Sequence, residues 1–303
     1  MGKLVGHVGH GFGFFLVGLW HLLNHVRLHC LHPRSYTSLP WFSTSTIRYL
    51  ELFFIMGGCI ASISMELFIG PKRHQPLDPD GTIPSNHIHS FEHSNISLTF
   101  FIYALLCIIL DKIQSPAQYG LSQMLGAVSF GQQFVLFNLH SADHIGLEGQ
   151  YHWLLQLVIL VSFLTTLLCI VYPSCFLNGF IRSLRIFFQG VWFMAMGIML
   201  WTPECIPKGC FLKWEDGHEV VRCHDHEALE RAKSLVNLFF SWYLVGVTVF
   251  GMCLYLGLYK VFPENDEQQS LTKFEDQEQE PVLDNEDIEA QKRTTLEGKQ
   301  FVV

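Results

Sequence analysis

The stretch YHWLLQLVILVSFLTTLLCIVY, residues 151–172, contains no Asp, Glu, Lys or Arg. A hydrocarbon core about 30 Å thick needs roughly 20 predominantly apolar residues in helical form. The stretch meets that length and stops at Pro173, which cannot continue a helix. It reads as a transmembrane helix. Working outward, the same reading recurs at about residues 8–28, 49–69, 94–110, 119–139, 179–201 and 234–262. The expected fold class is therefore all-α, a polytopic membrane bundle of seven transmembrane helices filling residues 1–262.

The surroundings of these stretches agree. Pro33, Pro71, Pro116, Pro203 and Pro263 lie just outside them. Trp20, Trp41, Trp153, Trp201 and Trp242 fall near expected membrane–water boundaries, where amphipathic rings are favoured. Small residues inside the stretches (Gly57, Gly58, Ala61, Ser62, Gly126, Ser129, Gly246 and Gly251) are expected to let helices pack closely. The chain is 50% hydrophobic and 15% charged, against about 25% charged in an ordinary soluble domain. The first stretch has Lys3 alone before it and no small-residue cleavage site, so it is expected to stay as a signal anchor.

The net charge of −8 belongs to one region. Residues 264–303 carry twelve acidic and four basic residues, whereas the other positions carry fifteen of each sign. This excludes a basic nucleic-acid surface. The segment 263–303 is expected to be a disordered acidic tail, unable to bury enough apolar surface to offset its ordering entropy. A tail of this kind offers a binding surface to protein partners.

Seven spans put the termini on opposite sides. We call the side holding the N-terminus the N-face and the other the C-face. Lys and Arg number eight near the N-face and seven near the C-face, close to a tie. The short C-face loops carry Arg27, Arg34, Arg48, Arg182 and Arg185 without an acid. On the N-face, Cys210 and Cys223 share the longest loop and form a candidate disulfide, which requires an oxidising compartment. The expectation is an endomembrane or plasma-membrane protein with its N-terminus lumenal or outside and its tail cytosolic. The sequon at Asn95 lies too close to the bilayer to carry a glycan.

Histidine is the chemistry that stands out. There are sixteen, and most gather at span ends. On the N-face, His10, His93, His140, His144 and His152 are candidate metal ligands. His140 and His144 have the i, i+4 spacing that places two imidazoles on one helical face, and zinc needs three or four ligands. Asp143 and Glu148 are candidate catalytic groups beside them, as general base or second partner. Capping of helix ends and proton handling remain open readings of the same residues. Toward the C-face, His21, His25 and His29 form a stripe on one face of the first span, expected to line a packed interior. Glu51 and Glu66 stand near opposite ends of the second span. Acids there face the bundle interior and seek partners, and His10 or His93 suits Glu66. Arg182 and Arg185 are expected to snorkel to headgroups.

Several motifs carry a resemblance. They are Gly6, His7, His10 and Gly11, then Gly18-Leu19-Trp20, then Phe91-Glu92-His93 with Asp111. They continue with Asn138-Leu139-His140-Ser141-Ala142-Asp143-His144 and the run from Leu147-Glu148-Gly149 to Leu154-Leu155. Ala232-Lys233-Ser234-Leu235-Val236-Asn237 and Phe240-Ser241-Trp242 complete the set. Over residues 1 to about 262 the chain resembles the transmembrane protein 45 family in its plant-type branch, a family long filed as a domain of unknown function. The resemblance implies a polytopic membrane protein, no established reaction and a loose association with response to virus. The His and acid pattern is also similar to membrane hydrolases with a three-His zinc site, such as the alkaline ceramidases, whose paired last-span histidines this chain lacks.

Three functional expectations follow. The first is a non-enzymatic membrane protein acting through lipid, protein partners or trafficking. The second is a zinc-dependent membrane hydrolase at the N-face. The third is a proton- or metal-coupled carrier using Glu51, Glu66 and the two histidine zones.

Overall fold

The computed structural model describes residues 3–70, 75–139, 146–215 and 218–262. Seven long helices form in sequence order: α1 Lys3–Leu31, α2 Leu50–Ser64, α3 Ile88–Ile113, α4 Gln118–Leu139, α5 Gly146–Val171, α6 Phe176–Trp201 and α7 His226–Val261. A π-helical turn, Met65–Ile69, prolongs α2. Five of them are long and apolar enough to cross a membrane: Leu50–Ile69, Ile88–Ile113, Gly146–Val171, Phe176–Trp201 and His226–Val261. By length and composition the chain is an integral membrane protein.

α1 and α4 have the required length, 29 and 22 residues, and fall short in apolarity. Their own side chains explain it. α1 carries His7, His10, His21, His25 and His29, and α4 carries Gln118, Gln123, Gln132, Gln133 and Asn138. α7 begins eight residues before the apolar stretch does, because Asp225 caps it: the Asp225 carboxylate accepts from the Ala228 N–H at 2.7 Å.

The expected all-α class meets one exception. Between α6 and α7, strands β1 Cys210–Glu215 and β2 His218–Cys223 pair antiparallel, with Cys210 opposite Cys223. These two cysteines form a disulfide. The buried Glu148 of α5 accepts from the Val221 N–H at 3.0 Å, tying the hairpin to the bundle.

α6 is the most enclosed helix, and α1 lies antiparallel along it. A Cβ added at Gly18 would sit 2.2 Å from the Phe187 nitrogen, and one at Gly190 would sit 2.2 Å from the Phe15 nitrogen. Gly11 and Gly197 are similarly blocked, by Gly190 O and Met194 and by His7. The two backbones therefore touch along a seam of glycines spaced seven apart on each helix, a repeat that keeps them on one face. Of the small residues singled out by sequence, Gly57, Gly58 and Gly246 face open space, and Gly126 and Gly251 meet neighbouring side chains.

Residues 36–42 make an extended strap after α1. Tyr36, Ser38, Pro40 and Phe42 are buried in alternation, the period of extended chain. The strap enters the bundle at its C-face.

Candidate functional site

Two groups of polar side chains occupy the two ends of the bundle. The C-face group assembles around the strap. The α6 residue Arg182 is buried at 3% exposure. Its guanidinium donates to Gln123 Oε1 of α4, to the Leu39 carbonyl of the strap at 2.6 Å, and to His25 Nε2 of α1 at 3.1 Å. Guanidinium has no acceptor, so His25 accepts at Nε2. The ring proton is then on Nδ1, which donates to Tyr36 Oη at 2.7 Å. Burial pushes the Tyr36 phenol above its ordinary range, and it stays protonated.

One turn along α1, His21 Nε2 donates to Glu51 Oε1 at 2.7 Å. Glu51 Oε2 accepts from Trp20 Nε1 at 3.0 Å and from the Phe42 N–H of the strap at 2.9 Å. Gln123 also donates to the Ser38 carbonyl at 2.9 Å, Tyr103 to the Pro40 carbonyl at 2.8 Å, and the Ser38 hydroxyl to Cys169 Sγ at 3.2 Å. The Arg182 guanidinium and the Glu51 side chain thus share one buried site with the His21 and His25 imidazoles between them. Hydrogen bonds to each of them offset part of the cost of burying them. His29, the third member of the stripe, stacks on Phe176 with ring centroids 4.0 Å apart.

The pairing of Glu51 with His21 follows from its inward position in α2. The strap and Arg182 were not legible. The chain around residues 36–42 carries neither a long apolar run nor a motif. Arg182 sits buried in the interior, whereas sequence reading sent it to the headgroups. Arg185 is half-buried and meets no hydrogen-bond partner among the described residues at Nε.

The N-face group gathers part of the expected histidine set. His10 Nδ1 donates to the Gly6 carbonyl at 2.7 Å, so its Nε2 accepts from Ser62 Oγ of α2 at 2.8 Å. Ser62 in turn bonds Ser97 of α3 at 2.8 Å. One turn further on both helices, Glu66 and His93 pair at 3.4 Å. His10, Glu66 and His93 thus occupy adjoining layers between α1, α2 and α3.

His152 lies on α5, its Nδ1 donating to the Glu148 carbonyl at 2.9 Å. Its ring stacks on Phe137 and meets the edge of His7 with centroids 5.9 Å apart. His140, Asp143 and His144 lie outside the described residues. Among the described residues no group of three or more His, Cys, Asp or Glu side chains is arranged to hold a metal ion.

The middle of the bundle separates the two groups. Phe14 packs against Phe100 and Phe193, with Phe100 on Phe130. The polar pair at this level, Gln189 Nε2 donating to Gln133 Oε1 at 3.1 Å, is buried.

A second polar feature lies at the C-face surface. Arg48 makes a two-pronged pair with Asp111, 2.9 Å for each arm, and Tyr49 donates to the same carboxylate at 2.8 Å. A pocket of about 110 Å³ opens beside it between the strap, α3 and α4.

A family model described as a family of unknown function (DUF716) matches residues 119–256. The match runs from the first turn of α4 into α7. It takes in Gln123, Arg182 and the hairpin, and leaves the strap, His21, His25 and Glu51 outside.

Proposed function

We propose that this chain is a seven-span membrane protein that works through lipid and protein partners rather than through a reaction of its own. The observation that carries the reading is that the C-face group turns most of its donors and acceptors onto the bundle itself, with Arg182 Nε and His21 Nδ1 the buried nitrogens left without a partner among the described residues. Arg182 through its two terminal nitrogens, His25, Glu51 and Gln123 all bond another helix or the strap. Such a group locks architecture. Transporting or hydrolytic sites keep donors and acceptors for a substrate.

The seven-span reading draws on α1 and α4. His21 and His25 of α1 and Ser122, Gln123, Ser129 and Gln133 of α4 turn inward, whereas Val5, Phe12, Met124, Val128 and Val135 face outward. α1 also lies along the candidate span α6 for most of its length. The family match over residues 119–256, to the family that includes transmembrane protein 45, supports the same class and brings no activity with it. In this reading the N-face, which carries the Cys210–Cys223 disulfide, is lumenal or extracellular. The acidic tail is then cytosolic and open to protein partners.

Metal analysis of the detergent-purified chain tests the non-enzymatic reading. The expected result is less than stoichiometric zinc, unchanged by His93→Ala or His140→Ala. One zinc per chain, lost in both variants, would overturn the reading and move the chain to the hydrolase class.

A further inference from the structure

Arg48 and Asp111 meet at the C-face ends of two candidate spans. Arg48 stands two residues before Leu50, which opens one span, and Asp111 two residues before Ile113, which closes another. Their pair therefore lies where hydrocarbon gives way to headgroups. Nε and Nη2 of Arg48 donate to the two carboxylate oxygens at 2.9 Å each, and Tyr49 Oη donates to Oδ2 at 2.8 Å. This side-on pairing fixes the planar guanidinium and leaves its other edge, the Nη1–Nη2 fork, outside the pair. The Arg48 side chain is 58% exposed. Such a fork matches two oxygens of a phosphate.

Both side chains line the pocket of about 110 Å³, together with Trp41, Ser43, Tyr119 and Ser122. The pair presents one charge of each sign to it. A bare anion on Arg48 meets the Asp111 carboxylate at close range and gains little. A ligand that carries a cation beside its phosphate gains at both. The carboxylate has room for that cation: Oδ2 takes two donors and Oδ1 only one, which leaves a lone pair on Oδ1. Trp41 and Tyr119 are ring types that attract an ammonium. At this level of a bilayer, phosphate and ammonium come together in the zwitterionic phospholipid headgroup. Ethanolamine has N–H donors for Oδ1, and choline has none.

We infer that this pocket binds the headgroup of a zwitterionic phospholipid of the phosphatidylethanolamine type, its phosphodiester on the Arg48 fork and its ammonium beside Asp111. The Ser43, Tyr119 and Ser122 hydroxyls supply further polar groups to the same pocket. The inference deepens the lipid-partner reading above and rests on it.

Native mass spectrometry of the full detergent-purified chain supplies the test, with phosphatidylethanolamine as the probe. Phosphatidylglycerol, which has the phosphodiester without the ammonium, is the second arm, and soluble glycerophosphoethanolamine the third. Phosphatidylethanolamine is expected to bind more tightly than phosphatidylglycerol and to stay bound when the soluble headgroup is added. Arg48→Lys keeps the charge and loses the fork, and is expected to weaken the first bound phosphatidylethanolamine about fivefold, the loss of one hydrogen bond. Ser43→Trp fills the pocket from an exposed position without touching the pair, and is expected to abolish that binding even if Arg48→Lys fails to fold. Equal affinity for phosphatidylglycerol, displacement by the soluble headgroup, or binding unaltered in either variant would each overturn the inference. The zinc measurement reads other residues, so failure here leaves that test of the function standing.

Discussion

Arg182 and Arg185 are three residues apart on one helix, about 300° around its axis. Their spacing alone leaves open which of them is covered. Packing decides: Arg182 faces α1, α4 and the strap, and its guanidinium serves three acceptors there. Replacing Arg182 with Met is expected to leave the Leu39 carbonyl, Gln123 Oε1 and His25 Nε2 unpaired. The cost is about 3 kcal/mol or more, read as a lower unfolding temperature of the detergent-purified protein. Arg182→Lys is expected to recover part of it, since an ammonium cannot span the same fork.

A second residue-scale effect lies in the hairpin. Hydrogen bonds from Arg222 and Lys213 hold the Glu215 carboxyl down at about 2. A depressed carboxyl stabilises the fold above its ordinary value and loses that contribution as pH falls toward the depressed one. The difference in unfolding temperature between wild type and Glu215→Gln is therefore expected to be constant from pH 8 to about 5. It should shrink between about 4.5 and 2.

At the scale of elements, apolar length made α2, α3, α5 and α6 legible, because hydrocarbon thickness dictates it directly. The α1–α6 seam was hidden. Glycine permits close approach and does not require it, so nothing local separates Gly18 from Gly57. The structure does. Gly18→Ala or Gly190→Ala must push two backbones apart, at about 1–3 kcal/mol as in other overpacked cores. Gly57→Ala and Gly246→Ala enter open space and are expected to be neutral or to stabilise by about 0.5–1 kcal/mol, alanine being the better helix former. Thermal unfolding of the four variants checks the contrast. The strap escaped sequence reading for a related reason. Its four buried positions alternate with half-buried ones, and beside the Tyr36 and Ser38 hydroxyls its binding groups are backbone carbonyls and N–H groups, which nearly every residue possesses. The histidine stripe was read as inward-facing from its spacing, but its partners come from four separate segments.

For the whole molecule, the proposed orientation is open to test by glycosylation mapping. An Asn-x-Ser/Thr acceptor inserted between β1 and β2 is expected to be glycosylated in a eukaryotic host. One placed in the tail is not. The reverse pattern would invert the orientation. The native sequon at Asn95 is expected to stay unmodified, because it lies within α3.

The seam and the strap also impose an order on synthesis. The hydrogen bond between His25 and Arg182 joins positions 157 residues apart. At about 5–20 residues per second, the first helix emerges roughly ten to thirty seconds before its sixth-helix partner. Over that interval Glu51 already has His21, Trp20 and the Phe42 N–H, and His25 has Tyr36, so the guanidinium of Arg182 is the piece the C-face waits for. The strap and the second helix can therefore settle against the first helix before the sixth arrives, and the late insertion of Arg182 closes a site whose other members are already in place.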